Sequence, residues 1–294
     1  MKTAYAKYIS SLLLFGSNGI VASHILLGSY EIVLTRTFIG SLFLIAAFLF
    51  SKGRLQCLKN KNHLAFLAIS GASMGASWMF LYEAYAQVGV SVATLTYYCG
   101  PVIVMALSPL VFRERVTLPK IFGFAAVFLG MIFLNGTALL RDGFSWGILC
   151  GILSALTYAL MVIFNKKAES ITGLENSMLQ LVVSFVVVAL FTLLKQGAAI
   201  SFTMQSVFPI LLLGIVNTGV GCYLYFSSIQ KLQAQSVAIF GYLEPLSALF
   251  FSAIILHERL TLSQLAGAAL ILGGAALGEL FGMGRRRKLA KGKQ

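Results

Sequence analysis

The sequence predicts an all-α integral membrane protein with ten transmembrane helices, and its composition and charge pattern are the reasons. Hydrophobic residues make up 59% of the 294 residues, against roughly 45–50% in soluble domains. Charged residues make up 11%, against roughly 25%. The net charge is +13, and the basic residues lie in short gaps between long apolar runs. This pattern excludes an ordinary soluble domain, a disordered chain and a disulfide scaffold, and it predicts no nucleic-acid partner.

Ten apolar runs are each long enough to cross a bilayer, which takes roughly 20 residues. They cover about residues 5–27, 32–50, 64–86, 91–112, 119–140, 145–165, 175–194, 206–230, 234–256 and 262–282. A membrane barrel would instead alternate polar and apolar residues along strands of about ten residues. We expect the first run to be a mature helix rather than a signal peptide, because it is longer than a usual signal core.

Lysine and arginine residues predict that both termini lie in the cytoplasm, since positive charge collects on that side. With the N-terminus inside, 18 of the 22 basic residues fall on the cytoplasmic side. Three fall on the outer side, namely Arg141, Lys195 and Arg259, and Arg36 lies within a span. The basic tail, 283–294, is expected to contact the headgroups of membrane lipid.

An internal duplication divides the chain into repeats at 1–140 and 141–282. Residues 112–118 (FRERVTL) resemble 256–262 (LHERLTL) at an offset of 144, and the same offset aligns several other positions. The aligned pairs are Glu31 with Glu175, Pro101 with Pro245, Gly123 with Gly267 and Gly130 with Gly274. Five spans per repeat force the second copy to enter the membrane inverted. Inverted repeats are typical of transporters, with the substrate site near the midplane between them.

The chain resembles the drug/metabolite transporter superfamily, in its ten-helix EamA-type exporter branch. The residues that carry the resemblance are 14–18 (LFGSN), Pro101, Pro245, 113–115 (RER), 257–259 (HER) and the glycine-spaced fifth and tenth spans. The resemblance implies an exporter in a bacterial inner membrane. Small four-span relatives look as if they use a first-span carboxylate. This chain has none there, so their coupling mechanism is not carried over.

Glu244 is the foremost candidate for substrate binding and proton coupling. It lies in the middle of span nine, where an ionised carboxylate costs roughly 2.5–3.5 kcal/mol or more. Such a group can release a proton, bind a cationic substrate and reload from the other side. Pro245 has no N–H and leaves the Gly241 carbonyl without its helical partner, so Pro101 and Pro245 are predicted to break their helices. The alternative is a protonated or internally paired glutamate that holds helices together.

Three other charged or titratable residues are candidates. Glu83 and Arg36 have similar predicted depths, which predicts a structural ion pair, although Arg36 could instead snorkel to the interface. Glu83 and His24 are further candidates for proton coupling. His24 is included because a histidine titrates near neutral pH. A lone histidine is more often a packing or hydrogen-bonding residue.

Polar and aromatic side chains within the spans predict the remaining substrate contacts. Aromatic faces stack on flat or cationic solutes, whereas the alternative role is an aromatic belt at the membrane interface. The candidates are Ser17, Asn18, Trp78, Tyr82, Tyr97, Tyr98, Tyr158, Tyr223 and Tyr242.

Enzymatic chemistry has little support in the sequence. Residues 71–75 (GASMG) match a nucleophile-elbow pattern, but they lie in an apolar helix with no preceding strand. An intramembrane enzyme is therefore a remote alternative. No phosphate-binding loop, metal-type cluster or dinucleotide fingerprint occurs, so we expect no cofactor and no metal.

Together these features predict a secondary transporter, an exporter by resemblance, for a small amphipathic metabolite such as an amino acid or related amine. Proton coupling through Glu244 is a hypothesis. A multidrug or organic-cation exporter and an uncoupled facilitator are the alternatives. The sequence does not specify the substrate, the stoichiometry or the oligomeric state, and a monomer is one possible state.

Overall fold

The structure, a computed structural model, describes residues 2–53, 55–135, 145–197, 204–255, 257 and 260–291. Side chains at 91, 134–135 and 279–291 are outside that description. Helices account for the regular structure of these residues, and no strand occurs among them. The helices are α1 (Lys2–Gly16), α2 (Asn18–Ala22), α3 (Ser29–Phe50), α4 (Lys61–Tyr97), α5 (Cys99–Phe112), α6 (Leu118–Asn135), α7 (Trp146–Lys167), α8 (Gly173–Gln196), α9 (Val207–Leu211), a π-helical segment (Leu212–Val220), α10 (Gly221–Ile229), α11 (Ala234–Gly241), α12 (Leu243–Ile255) and α13 (Leu262–Lys291).

Seven stretches of the described chain are long and apolar enough to cross a membrane. They are Ser29–Phe50, Lys61–Val90, Val92–Phe112, Trp146–Lys167, Gly173–Gln196, Met204–Ile229 and Ala234–Ile255. Leu118–Phe133 and Leu262–Gly278 are shorter apolar helices, and the first predicted span is divided between α1 and α2. The prediction of an all-helical membrane protein is confirmed. The count of ten spans and the cytoplasmic placement of both termini stay predictions, and residues 136–140 of the fifth predicted span lie outside the described residues.

The chain turns sharply between the third and fourth predicted spans. Gly89 has a φ of 76° inside α4, which separates a long helix before it from a short one after it. Only glycine adopts this left-handed backbone without a steric penalty. A turn of three residues therefore suffices where the sequence shows almost no polar gap.

Equivalent helices of the two repeats pack against each other in antiparallel orientation. A Cβ atom on Gly123 of α6 would lie 2.5 Å from the Gly274 carbonyl oxygen of α13, and one on Gly130 would lie 2.7 Å from that of Gly267. Along the interface between the two helices, residue numbers increase in α6 and decrease in α13. Because the offset of 144 exchanges these two contacts, a pseudo-twofold axis passes between the two helices. This is the geometry that an inverted repeat requires.

The other extensive helix contacts also join one repeat to the other. α4 packs on α7 and α8, α3 packs on α8, and α1 packs on α10 and α12. Buried hydroxyl groups reinforce the first of these contacts, since Ser70 donates to the Met161 carbonyl at 2.7 Å and Ser77 to that of Ser154 at 2.9 Å. The seam between the repeats therefore runs through the centre of the molecule.

Candidate functional site

A cavity lies at this seam, and the space between its walls, open solvent included, is about 590 Å³. Both repeats line it, with aromatic, amide and charged side chains. The lining residues are Phe15, Asn18, Arg36, Met74, Ser77, Trp78, Tyr97, Tyr158, Met161, Asn217, Thr218, Cys222, Tyr225, Phe226 and Glu244. Arg36 and Glu244 are the charged members of this set.

The cavity continues into a wider vestibule, and the two share Phe15, Asn18, Arg36, Trp78, Tyr97 and Glu244. The vestibule is also lined by Ser23 after α2, Tyr85 near Gly89, Ser252 in the last turn of α12 and Gln264 in the first turn of α13. These positions lie at the helix ends that the charge distribution predicts to be outside. The described conformation is therefore open toward the predicted outer face.

Glu244 reaches the cavity because the ninth predicted span is interrupted beside it. α11 ends at Gly241 and α12 begins at Leu243, so Glu244 and Pro245 occupy the first turn of α12. Proline is tolerated there because first-turn N–H groups have no helical partner, and an acidic side chain is favoured at the positive end of the helix dipole. Within the described residues, no ion pair and no hydrogen bond is found for the Glu244 carboxylate.

The same interruption occurs at the equivalent position of the first repeat. α4 ends at Tyr97 and α5 begins at Cys99, which puts Pro101 in the first turn of α5. The breaks thus fall three residues before each proline, at Tyr98 and Tyr242, which the offset of 144 relates. The Tyr242 hydroxyl donates to the Tyr98 carbonyl at 2.8 Å and holds the two breaks together.

The predicted ion pair between Arg36 and Glu83 is wrong. Glu83 pairs instead with Lys195, at 3.2 Å, and accepts a hydrogen bond from the Tyr30 hydroxyl. The Arg36 guanidinium carbon lies 4.4 Å from the centre of the Trp78 ring. The prediction used depth alone, whereas Trp78 and Glu83 are five positions apart on α4 and so point about 140° apart around its axis. Glu83 lines neither part of the cavity.

A layer of tyrosines closes the cavity on the side opposite the vestibule. The hydroxyl groups of Tyr158 and Tyr225 are 3.2 Å apart, and the rings of Tyr8 and Tyr225 have centres 5.4 Å apart. The Tyr8 hydroxyl donates to the Val237 carbonyl at 2.8 Å, across the seam. Tyr97 packs edge-on against Tyr158, with ring centres 5.5 Å apart. This layer blocks passage of a solute toward the predicted cytoplasmic face.

An amide network supports the break between α1 and α2. Asn217 directs its amide nitrogen at the Leu14 carbonyl, the Ser17 hydroxyl and the Asn18 side-chain oxygen, at 2.9, 2.8 and 3.0 Å. Asn217 belongs to the π-helical segment, a form of helix that is frequent at functional sites. The network makes Ser17 part of the support, whereas Asn18 lines the cavity.

The other predicted site residues are divided between the cavity and its surroundings. Trp78, Tyr97 and Tyr158 line the inner cavity, and Tyr82 and Tyr98 line the vestibule. Three candidates line neither: Tyr242 is fully buried, Tyr223 contacts Lys7 at the opposite end, and His24 is exposed after α2.

Sequence reasoning missed several residues that line the inner cavity. Chief among them are Phe15, Met74, Ser77 and Tyr225. For Tyr225 a signal was available in the helical spacing. Cys222, Tyr225 and Phe226 share one face of α10, whereas Tyr223 points away from that face.

Comparisons with known proteins agree with this architecture. The model of the EamA-like transporter family matches residues 3–136 and 145–278. The uncharacterized transporter YxxF of Bacillus subtilis is 26% identical over 99% of this chain and 94% of its own. A probable amino-acid metabolite efflux pump of Salmonella typhimurium is 30% identical over 62% of this chain and 64% of its own. A crystal structure with a TM-score of 0.83 covers 95% of this chain and 98% of its own at 16% identity, which shows the shared fold.

Proposed function

Because the chain belongs to the EamA-like transporter family, we propose that it exports a small amphipathic metabolite carrying an ammonium group, in exchange for protons. Membership makes it a multi-pass membrane transporter. The substrate class, the direction and the coupling are our proposal. The observation that carries it is the Glu244 carboxylate, which faces the cavity at the seam without an ion-pair partner in the described chain.

A carboxylate at this depth needs either a proton or a cation, because an unpaired charge in a low-dielectric site is costly. A substrate ammonium group supplies the cation, and Tyr97 and Tyr158 offer aromatic rings to the same group. When the substrate leaves, a proton takes its place on Glu244. The proton and the substrate ammonium group thus alternate as partners of the same carboxylate.

Movement of the solute requires the cavity to open to each side in turn. The described conformation is open on one side and closed on the other by the tyrosine layer of Tyr8, Tyr158 and Tyr225. Inverted repeats exchange roles when one half rocks against the other. Opening of the opposite side would therefore separate Tyr8 of α1 from Val237 of α11, which belong to different repeats.

The named relatives support the choice of substrate and direction. The Salmonella protein is named as a probable efflux pump for amino-acid metabolites. An amino acid or amine of that kind suits an aromatic cavity that contains a carboxylate.

The experiment is transport by purified protein in liposomes, with radiolabelled amino acids and amines under an imposed pH gradient. We expect the gradient to drive flux of at least one compound, and Glu244→Gln to abolish gradient-driven flux without loss of protein. Glu83→Gln is the matched control, because Glu83 lies outside the cavity, and it should retain flux.

Three results would contradict parts of the proposal. Wild-type levels of gradient-driven flux through Glu244→Gln would exclude the coupling role of this carboxylate. Flux indifferent to the gradient would instead favour an uncoupled facilitator. Flux of bulky organic cations alone would favour the multidrug alternative.

A further inference from the structure

We infer that Arg36 is a carboxylate-binding subsite opposite Glu244, so that the cavity selects a zwitterion, an α-amino acid, over a simple amine. This inference rests on the proposed function and names the substrate class of the same site. It assigns to Arg36 a role in specificity rather than in helix packing.

Arg36 is a buried cation that forms no direct ion pair in the described chain. Its side chain lies on α3, the residue is 6% exposed, and its Nε–H has no hydrogen-bond partner in the described chain. The guanidinium group stays charged under all conditions that proteins meet. Because a buried charge without a close counter-ion is costly, a ligand carboxylate beside this guanidinium group would be stabilised.

Trp78 holds the guanidinium group but leaves its hydrogen bonds unused. The ring centre lies 4.4 Å from the guanidinium carbon, within the range of a cation–π contact. An aromatic face is only a weak acceptor for the N–H groups of the planar fork. That fork matches the two oxygens of a carboxylate.

Arg36 and Glu244 face the same space but do not neutralise each other directly. Both line the inner cavity and the vestibule, and in the described chain no ion pair joins them. A ligand lying between them can offer an ammonium group to Glu244 and a carboxylate to Arg36. A simple amine would leave Arg36 unpaired, and a simple acid would leave Glu244 unpaired.

The two charges are additions to the repeated scaffold. The offset of 144 aligns Arg36 with Gln180 and Glu244 with Gly100. Gly100 packs tightly, since a Cβ atom on it would lie 2.7 Å from the Tyr158 ring. Each repeat thus contributes one charge of opposite sign, and a zwitterion would bridge the two halves that move against each other.

The test compares amino acids with their decarboxylated amines, using phenylalanine with phenethylamine and leucine with isoamylamine. Ligand-induced thermal stabilisation of the purified protein gives the affinity, and competition against amino-acid flux in liposomes gives a second measure. In the wild type we expect each amino acid to bind about ten- to a hundredfold more tightly than its amine, as loss of a charged hydrogen bond predicts.

Arg36→Gln should reduce the preference for amino acid over amine to less than about twofold, while amine binding is retained. The reason is that Arg36 binds the carboxylate, which the amine lacks. Arg36→Lys keeps the charge but not the fork, and it should lower the preference partially. It also provides a test if Arg36→Gln folds poorly.

Equal loss of amino acid and amine in both variants would overturn the inference, because it would mean that Arg36 acts on the fold or on Glu244 alone. Equal binding of amino acid and amine by the wild type would also overturn it, and the proposed function would stand. Binding of neither compound, together with absence of flux, would instead refute the proposed function.

Discussion

At the scale of residues, the site depends on which charged side chains find a partner within the protein. Glu83 finds several, in Lys195, Tyr30 and Gln87. Glu244 and Arg36 face the cavity, and neither forms an ion pair in the described chain. Because charges in the membrane are costly unless paired, the satisfied carboxylate contributes to structure. The unsatisfied pair is available to a ligand.

Removal of the Glu83 charge should therefore affect stability rather than transport. Glu83→Gln weakens a charge-assisted network between α3, α4 and α8, and we expect a loss of about 1–3 kcal/mol of stability. Melting of the purified protein in detergent measures this loss as a lower melting temperature. Lys195→Met should give a smaller shift, because Lys195 is half exposed. Loss of flux at unchanged melting temperature would show that Glu83 belongs to the transport site.

At the scale of elements, close helix crossings and short helix breaks position the site. The α6–α13 crossing has glycine on both sides at Gly123 and Gly274, where backbone meets backbone. Without a hydrophobic force between helices in lipid, such close packing is a main source of helix association. The breaks at Ser17, Tyr98 and Tyr242 then turn polar backbone and side chains toward the seam.

A methyl group at the crossing should separate α6 from α13. Gly123→Ala would place a Cβ 2.5 Å from the Gly274 carbonyl oxygen, and backbone cannot move aside as a flexible side chain can. We expect a loss of about 1–3 kcal/mol of stability, as for an overpacked core. Gly273→Ala is the matched control on α13, since nothing lies within 4 Å of its Cβ position. Thermal melting of both variants decides the matter, and equal melting temperatures would contradict the role of the crossing.

At the scale of the whole molecule, contacts between the repeats keep the predicted cytoplasmic side closed. Glu114, which follows α5, accepts hydrogen bonds from the backbone N–H groups of Ala234 and Gln235 at 2.7 and 3.1 Å. These N–H groups begin α11, so a carboxylate from the first repeat caps a helix of the second. Together with the tyrosine layer, this cap favours the conformation that is open to the other side.

Loss of the cap should shift the conformational equilibrium. We expect Glu114→Gln to lower the equilibrium constant that favours the conformation open to the outer face by about fivefold, which corresponds to about 1 kcal/mol of capping energy. The measurement is the rate at which a membrane-impermeant maleimide labels an Ala248→Cys reporter, which lines the vestibule, in a background without native cysteines.

Glu31→Gln is the control for this experiment. Glu31 accepts a hydrogen bond from the backbone N–H of Gly28, three residues away in the same loop and helix. This hydrogen bond lies within the first repeat, so its loss should leave the labelling rate unchanged. An unchanged rate in Glu114→Gln as well would show that the cap does not hold the closed side.

The membrane class, the two-repeat architecture and the presence of a carboxylate, Glu244, beside a helix break could all be predicted from the sequence. These follow from run lengths, the offset of 144 and the position of Pro245, which are properties of the chain read in one dimension. The same reading placed Tyr97 and Trp78 among the candidates, and both line the cavity.

The face that each helix turns to the seam could not be predicted in this way, because it depends on how the helices pack in three dimensions. The tertiary structure separated Arg36 from Glu83, buried Tyr242 completely and brought Tyr225 rather than Tyr223 to the cavity. The physical reason is that a membrane helix is apolar around most of its circumference, so its hydrophobic pattern does not mark an inner face. That face is fixed by packing between the repeats, through glycine crossings and hydrogen bonds from residues more than a hundred positions away, such as Asn217 to Ser17.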